Sequence, residues 1–315
     1  MRDRLIRLLL RTLTALPFRA AQRLGAAIGW LHWILPNGLK RTSRENIDLC
    51  YGDRSEAWRR QLLRRSLLET GRTLAESVWI LGRPPEHSLP LVRETHGFEC
   101  LEEALRAGRG IVFATPHLGA WELSAVAAAR RIPMTVLFRP PRMAAFEDLV
   151  SAARARLGLN PVPTSAGGVR ALHRALQRGE AVGILPDQQP RSGSGVYAPF
   201  FGQPALTMTL LSRLAERSGA AVIIAVMVRL PKGRGFRLRV WRADDRVADP
   251  DPVTAATAVN REVERAIALA PPQYMWNYKR FSRRDGAAPG NDRRETADPD
   301  STATGNPAGT DERDR

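Results

Sequence analysis

His117 and Glu122 are five positions apart, just after an apolar run, Ile111–Thr115, and Pro116. An imidazole with one ring nitrogen held by a carboxylate keeps its other nitrogen free to take a proton. Such a pair can deprotonate a hydroxyl and make it a nucleophile. On a continuous α-helix the two side chains would diverge by roughly 140° and could not meet. Thr115-Pro116 offers a way round this. A strand ending there leaves His117 in the turn and starts the helix near Gly119 or Ala120. Glu122 then falls in the first turn, within reach of the ring. The sequence has no Gly-x-Ser-x-Gly, so the activated hydroxyl would attack an acyl carbonyl directly.

Other segments could handle an anionic or lipid-like substrate. Phe138-Arg139-Pro140-Pro141 follows an apolar run, and Arg139 could pair with a phosphate or polarise a carbonyl. Arg154 and Arg156 follow on a helix, two positions apart and so on different faces. Asp187, in Leu185-Pro186-Asp187-Gln188-Gln189-Pro190, also ends an apolar run and could orient an arginine or a substrate hydroxyl; a turn aspartate fits equally well. Val196–Ala205, with Gly202 inside it, reads as an apolar proline-rich loop. With Thr207 opening the next helix, that loop could form an acyl-chain wall and an anion site. Tyr274–Phe281 interleaves aromatics with cations, which suits a membrane interface, a phosphate-rich headgroup or single-stranded nucleic acid.

Placing these residues requires an alternation of strands and helices. Strands are expected at Ile111–Thr115, Met134–Phe138, Ala181–Leu185, Ala221–Val228 and Phe236–Trp241. Helices are expected at Phe98–Ala107, Glu122–Arg130, Phe146–Leu157, Gly168–Gln177, Leu206–Ser218 and Pro252–Leu269. This spacing predicts an α/β fold with a mostly parallel central sheet flanked by helices. Residues 1–82 read as a helical N-terminal extension, with a helix starting at Ser55 and running to Gly82. Within residues 5–35, arginines interrupt an apolar background at helical spacing. The longest uncharged run, Leu24–Asn37, is shorter than the roughly 20 residues of a spanning helix. Residues 1–36 are therefore expected to form an amphipathic helix lying on a membrane. Residues 37–282 form the folded domain, and 283–315, nearly devoid of apolar side chains, are expected to be disordered.

The chain carries 48 Lys and Arg against 32 Asp and Glu, a net charge of +16, and all but Lys40, Lys232 and Lys279 of these cations are arginine. Such a surface attracts anionic lipid, phosphorylated substrate or nucleic acid. No nucleic-acid-binding motif is present, which turns the expectation away from nucleic acid. Cys50 and Cys100 form neither a disulfide framework nor a zinc pattern.

In order along the chain, His117–Glu122, Phe138–Pro140, Pro186–Gln189, Pro199–Ala205 and Gln273–Phe281 resemble the motifs of the lysophospholipid acyltransferase superfamily. They most resemble its branch of lipid A biosynthesis late acyltransferases, the lauroyl and myristoyl transferases. The likeness runs from about residue 5 to 282. Ala120, Phe138 and Lys279 stand where the branch usually has Asn, Tyr and Arg. The resemblance implies a glycerolipid acyltransferase-like fold, with His117 as general base and Glu122 as its partner. Arg139, Arg154 and Asp187 would handle substrate, and no metal or other cofactor would be used. The donor would be an acyl thioester on acyl carrier protein, and the acceptor a hydroxyl of a phosphorylated glycolipid, such as a lipid A precursor. The site would face the cytoplasm at the inner membrane. Lysophospholipid or aminolipid acylation is the alternative from the same class. A non-catalytic basic protein binding anionic membrane is the alternative from another.

Overall fold

The computed structural model describes residues 10–138, 150, 153–190 and 193–281. Arg139 and the expected tail, 283–315, lie outside the described residues, as does most of the helix expected at Phe146–Leu157, of which 150 and 153–156 are helical. Residues 10–15 are helical, and three helices follow: α1 (Phe18–Ile34), α2 (Gly38–Cys50) and α3 (Glu56–Gly82). Asn37 caps α2 by accepting from Lys40 N, and Ser55 caps α3 by accepting from Trp58 N. The α/β part follows as β1 (Val92–His96), α4 (Glu99–Ala107), β2 (Ile111–Ala114), α5 (Trp121–Ala129), β3 (Met134–Phe138) and β4 (Leu159–Pro163). Then come α6 (Ala166–Gln177), β5 (Ala181–Ile184), β6 (Gly195–Phe200), β7 (Gln203–Met208), α7 (Leu210–Ser218), β8 (Ala221–Arg229), β9 (Phe236–Arg242) and α8 (Pro252–Leu269).

Seven strands form one sheet in the order β1-β9-β8-β2-β5-β3-β4. The pairings are parallel except β8 with β9. β2, β5 and β8 are buried on both faces, so they read as continuous apolar runs. Their alternate side chains enter opposite cores. Val112, Val182 and Ile224 face α6, α7 and α8, while Ile111, Ala181 and Ile223 face α4, α5 and the end of α3. β6 and β7 form a separate antiparallel hairpin. Phe201 and Gly202 have φ of 48° and 74°, the left-handed pair that a tight two-residue hairpin turn requires.

α1 crosses α3 at very short range. A Cβ at Gly25 would lie 2.4 Å from Gly71 O, and one at Gly71 would lie 2.1 Å from Gly25 O. Ala21, Gln22, Gly25 and Gly29 are therefore the buried face of α1. The helix expected within residues 1–36 is thus packed closely against α3. No helix among the described residues is long and apolar enough to cross a membrane.

Candidate active site

In the central register Ala114 pairs with Ile184, so β2 and β5 end side by side. Three residues beyond each lie His117 and Asp187. Asp187 Oδ1 lies 2.8 Å from His117 Nδ1, and Oδ2 accepts from His117 N at 2.8 Å. One carboxylate thus grips both ring and backbone. The two residues are 8% and 3% exposed. Burial pushes the Asp187 pKa up, but the His117 charge and the two hydrogen bonds outweigh it and hold the carboxyl below its ordinary value. With Nδ1–H given to Asp187, the lone pair of Nε2 faces outward. The Gln188 side-chain amide covers it at 2.9 Å. The rings of Trp121 and Tyr278 flank the imidazole, each with its centroid 5.1 Å away.

Glu122 does not partner His117. As the spacing predicts, His117 lies off the helix and Glu122 in the first turn of α5. The carboxylate, however, goes to Arg154, with Oε1 accepting from Nη2 at 2.6 Å and Oε2 from Nε at 3.3 Å. The reason is sheet geometry: the adjacent strand delivers a closer acid to Nδ1. Glu122 instead anchors a guanidinium that also lies 5.9 Å from the Phe138 ring centroid. Ala120 gives α5 no side-chain cap. Its N–H donates to Met227 O on β8 at 3.0 Å instead.

The segment 271–281 closes this end of the sheet. Gly119 N donates to Gln273 O, and Met275 N to His117 O. Asn46 on α2 donates to Trp276 O at 2.6 Å and Tyr278 O at 2.5 Å. Tyr274, Met275, Trp276 and Arg280 are buried, whereas Tyr278 and Lys279 are exposed. The segment is therefore an internal strap that leaves Tyr278 and Lys279 of the expected interfacial or headgroup-binding set at the surface. Burial, followed by the charge of the nearby Asp187 carboxylate, pushes the Tyr274 pKa well up.

Gly202 and Thr207 lie elsewhere. Gly202 makes the hairpin turn, and Thr207 lies on β7 rather than opening a helix, which starts at Leu210. Thr207 Oγ1 accepts from Arg280 Nη2 at 2.9 Å and shares Asn260 with it. Arg280 also donates to Leu206 O and sits over the Phe200 ring, with Nε buried and lacking an acceptor. Burial lowers its pKa, while Tyr274 and Asp187 oppose that shift. The hairpin is thus packing around a buried cation rather than an open acyl wall.

Sequence reasoning missed Gln188 as the cover on Nε2, Tyr274 as the buried phenol beside Asp187, and Asn46 as the tie to the strap. Gln188 and Tyr274 lie inside motifs already singled out, but nothing around Asn46 marks it. Arg229, at the end of β8, is buried between Glu76 and Glu69 of α3 and donates to Thr73 Oγ1 at 2.8 Å. Burial would lower its pKa, but the two carboxylates raise it. The same α3 turn reaches the strand ends, where Thr73 donates to Gly119 O at 3.3 Å.

A buried imidazole with one nitrogen fixed and the other aimed outward is the arrangement of an enzyme that activates a hydroxyl. The sheet that carries it is of the mostly parallel, helix-covered kind. Residues 3–283 match the model of the bacterial lipid A biosynthesis acyltransferases, and the chain belongs to that family and is an acyltransferase. It is 28% identical over 277 residues to the lipid A biosynthesis lauroyltransferase of Escherichia coli K12, covering 87% of this chain and 89% of that one. Over 279 residues it is 27% identical to a lipid A biosynthesis acyltransferase of Haemophilus influenzae, covering 87% and 86%. The lipid A biosynthesis myristoyltransferase of Escherichia coli K12 is 25% identical over 255 residues, covering 81% and 78%.

Proposed function

We propose that this enzyme moves a fatty acyl chain from an acyl carrier protein thioester to a hydroxyl of a phosphorylated glycolipid, a lipid A precursor, at the cytoplasmic face of the inner membrane. The observation that carries the chemistry is the 2.8 Å bond between His117 Nδ1 and Asp187 Oδ1, with Nε2 left as the base. The acceptor hydroxyl displaces the Gln188 amide and gives its proton to Nε2. Its oxygen attacks the thioester carbonyl carbon, and the tetrahedral intermediate collapses with cleavage of the C–S bond. The imidazolium then returns the proton to the departing thiolate. Asp187 stays ionised and stabilises the imidazolium. Arg154, aligned by Glu122, holds a phosphate of the acceptor. The relatives' names, lauroyl-, myristoyl- and palmitoleoyltransferase, support a long acyl donor and a lipid A acceptor.

A membrane location is supported by the face that α1 turns outward. Leu24, Ile28 and Leu31 are 44–47% exposed, whereas the small residues of the helix face α3. This inverts the usual pattern of a soluble amphipathic helix and suits a lipid interface. Acyl transfer is measured with purified enzyme, acyl carrier protein and coenzyme A thioesters, and lipid A precursor or lysophospholipid acceptors. Transfer from acyl carrier protein to the lipid A precursor, lost in His117→Ala, is the expected result. Preference for a lysophospholipid reassigns the acceptor, and full activity in His117→Ala removes the mechanism.

A further inference from the structure

Where α1 ends and α2 begins, the surface opens into a cleft of about 610 Å³. Lys40, Arg41 and Arg44 line it, Ile34 and Pro36 form its apolar side, and no acidic side chain takes part. Arg41 and Arg44 are exposed and make no ion pair among the described residues. Lys40 donates to Trp33 O and lies 4.9 Å from the centre of that indole, which fixes the ammonium at the cleft wall. Further along α2, Asp48 is taken by Arg59 at 2.8 Å and so does not neutralise the three cations. Glu56 lines an adjoining hollow with Lys40 and Arg44 but pairs with none of the three cations among the described residues; sharing one concavity they repel each other, and an anion relieves that repulsion.

The rim of the cleft is apolar. Trp30, Ile34 and Leu35 are 48%, 47% and 55% exposed and continue the outward face of α1 to the cleft mouth. A ligand that matches both parts has a negative headgroup attached to hydrocarbon. A free anion would leave the apolar rim in water, and an apolar ligand would leave the cations unanswered.

We propose that this cleft binds the phosphate of an anionic membrane phospholipid, with Trp30, Ile34 and Leu35 entering the interface beside it. The inference extends the membrane half of the proposed function and is independent of the acyl-transfer half. It also gives α2 a double attachment. One side of the helix meets the headgroup, and on the other Asn46 holds the carbonyl of Tyr278, whose ring lies against His117.

The test is flotation of the full chain with phosphatidylglycerol–phosphatidylcholine vesicles and with phosphatidylcholine vesicles alone. Wild type should float with the anionic vesicles and release them in high salt. Replacing the three cations (K40A/R41A/R44A) should weaken binding on the order of 100-fold, from about a kilocalorie for each cation. The control R106A/R109A/R130A removes three exposed arginines from α4 and from the residues preceding β2 and β3, and should bind as wild type does. Circular-dichroism melting confirms that both variants fold. Equal loss in the control, undiminished binding by the cleft variant, or thermal stabilisation by inorganic phosphate alone that the cleft variant loses would each overturn the assignment to lipid. Because the readout is binding, a failure here is separable from a failure to transfer acyl groups.

Discussion

Asp187 leaves the end of β5 and grips an imidazole, whereas Glu122 lies one residue into α5 and grips a guanidinium. Both carboxylates are buried, at 3% and 7% exposure, and both follow a central strand. What separates them is the route by which their partners arrive. Asp187 meets His117 across two adjacent parallel strands in register, 70 residues apart in sequence. Glu122 is five residues from His117, and its carboxylate is taken by Arg154 instead. Proximity in sequence supplied the positioning group for an arginine, while the sheet supplied the partner of the base. The two acids should therefore fail differently when neutralised: one through the proton, the other through the substrate.

Loss of the base itself should have the largest effect. His117→Ala should lower kcat about 10³-fold or more, at the strong end of general-base contributions, with little change in KM. Asp187→Asn comes next, at roughly 10²-fold in kcat, because the ring loses its tautomer and orientation. This variant also reads the pH dependence. The Asp187 carboxyl is held below its ordinary 3.8 in the folded protein. Its stabilisation is complete above the unfolded-state value and disappears as pH falls through the lower folded-state value. Wild type should thus lose stability on the acid side of about pH 4, and Asp187→Asn should show a shallower decline in urea unfolding across that range. Glu122→Gln and Arg154→Ala should each cost about tenfold in kcat/KM, carried by the KM for the phosphorylated acceptor. A collapse of kcat in Glu122→Gln equal to that in Asp187→Asn would erase the distinction between the acids. The smallest effect is expected of Tyr274→Phe, a few-fold in kcat, because a buried hydroxyl beside the Asp187 carboxylate is lost. A shift in the acid limb of its rate profile would sharpen the comparison by tying the strap to the base.

Much of the fold can be read in the sequence where one physical signal dominates. Met134–Phe138 and Pro252–Leu269 fall where period and capping put them. The expected loop at Val196–Ala205 is a hairpin instead, because Pro199 and Pro204 read as breakers although a two-stranded ribbon tolerates them. β1 and β4 escaped notice for a related reason. They are the outermost strands of the sheet, one polar and one carrying two prolines, and so lack the apolar run of a central strand. At the site, residue types and motif positions pointed to His117, Asp187, Glu122 and Arg154. Their pairing stayed hidden because strand order is settled by tertiary packing, which no local window contains. Arg280 shows the same limit: a cation amid aromatics suggests a surface, yet Thr207 and Asn260 bury it.

The crossing of Gly25 over Gly71 has a mechanical consequence. With backbone against backbone, α1 cannot roll by even one residue without driving Leu24 or Ala26 into the neighbouring helix. Its azimuth is keyed, as a shaft is keyed to a hub, by side chains that are missing. The same α3 reaches the strand ends through Thr73 and clasps β8 through Arg229. Any surface on which α1 comes to rest therefore sets the direction in which the Nε2 lone pair of His117 points, and the aim of the catalyst is fixed by two hydrogen atoms where methyl groups would not fit.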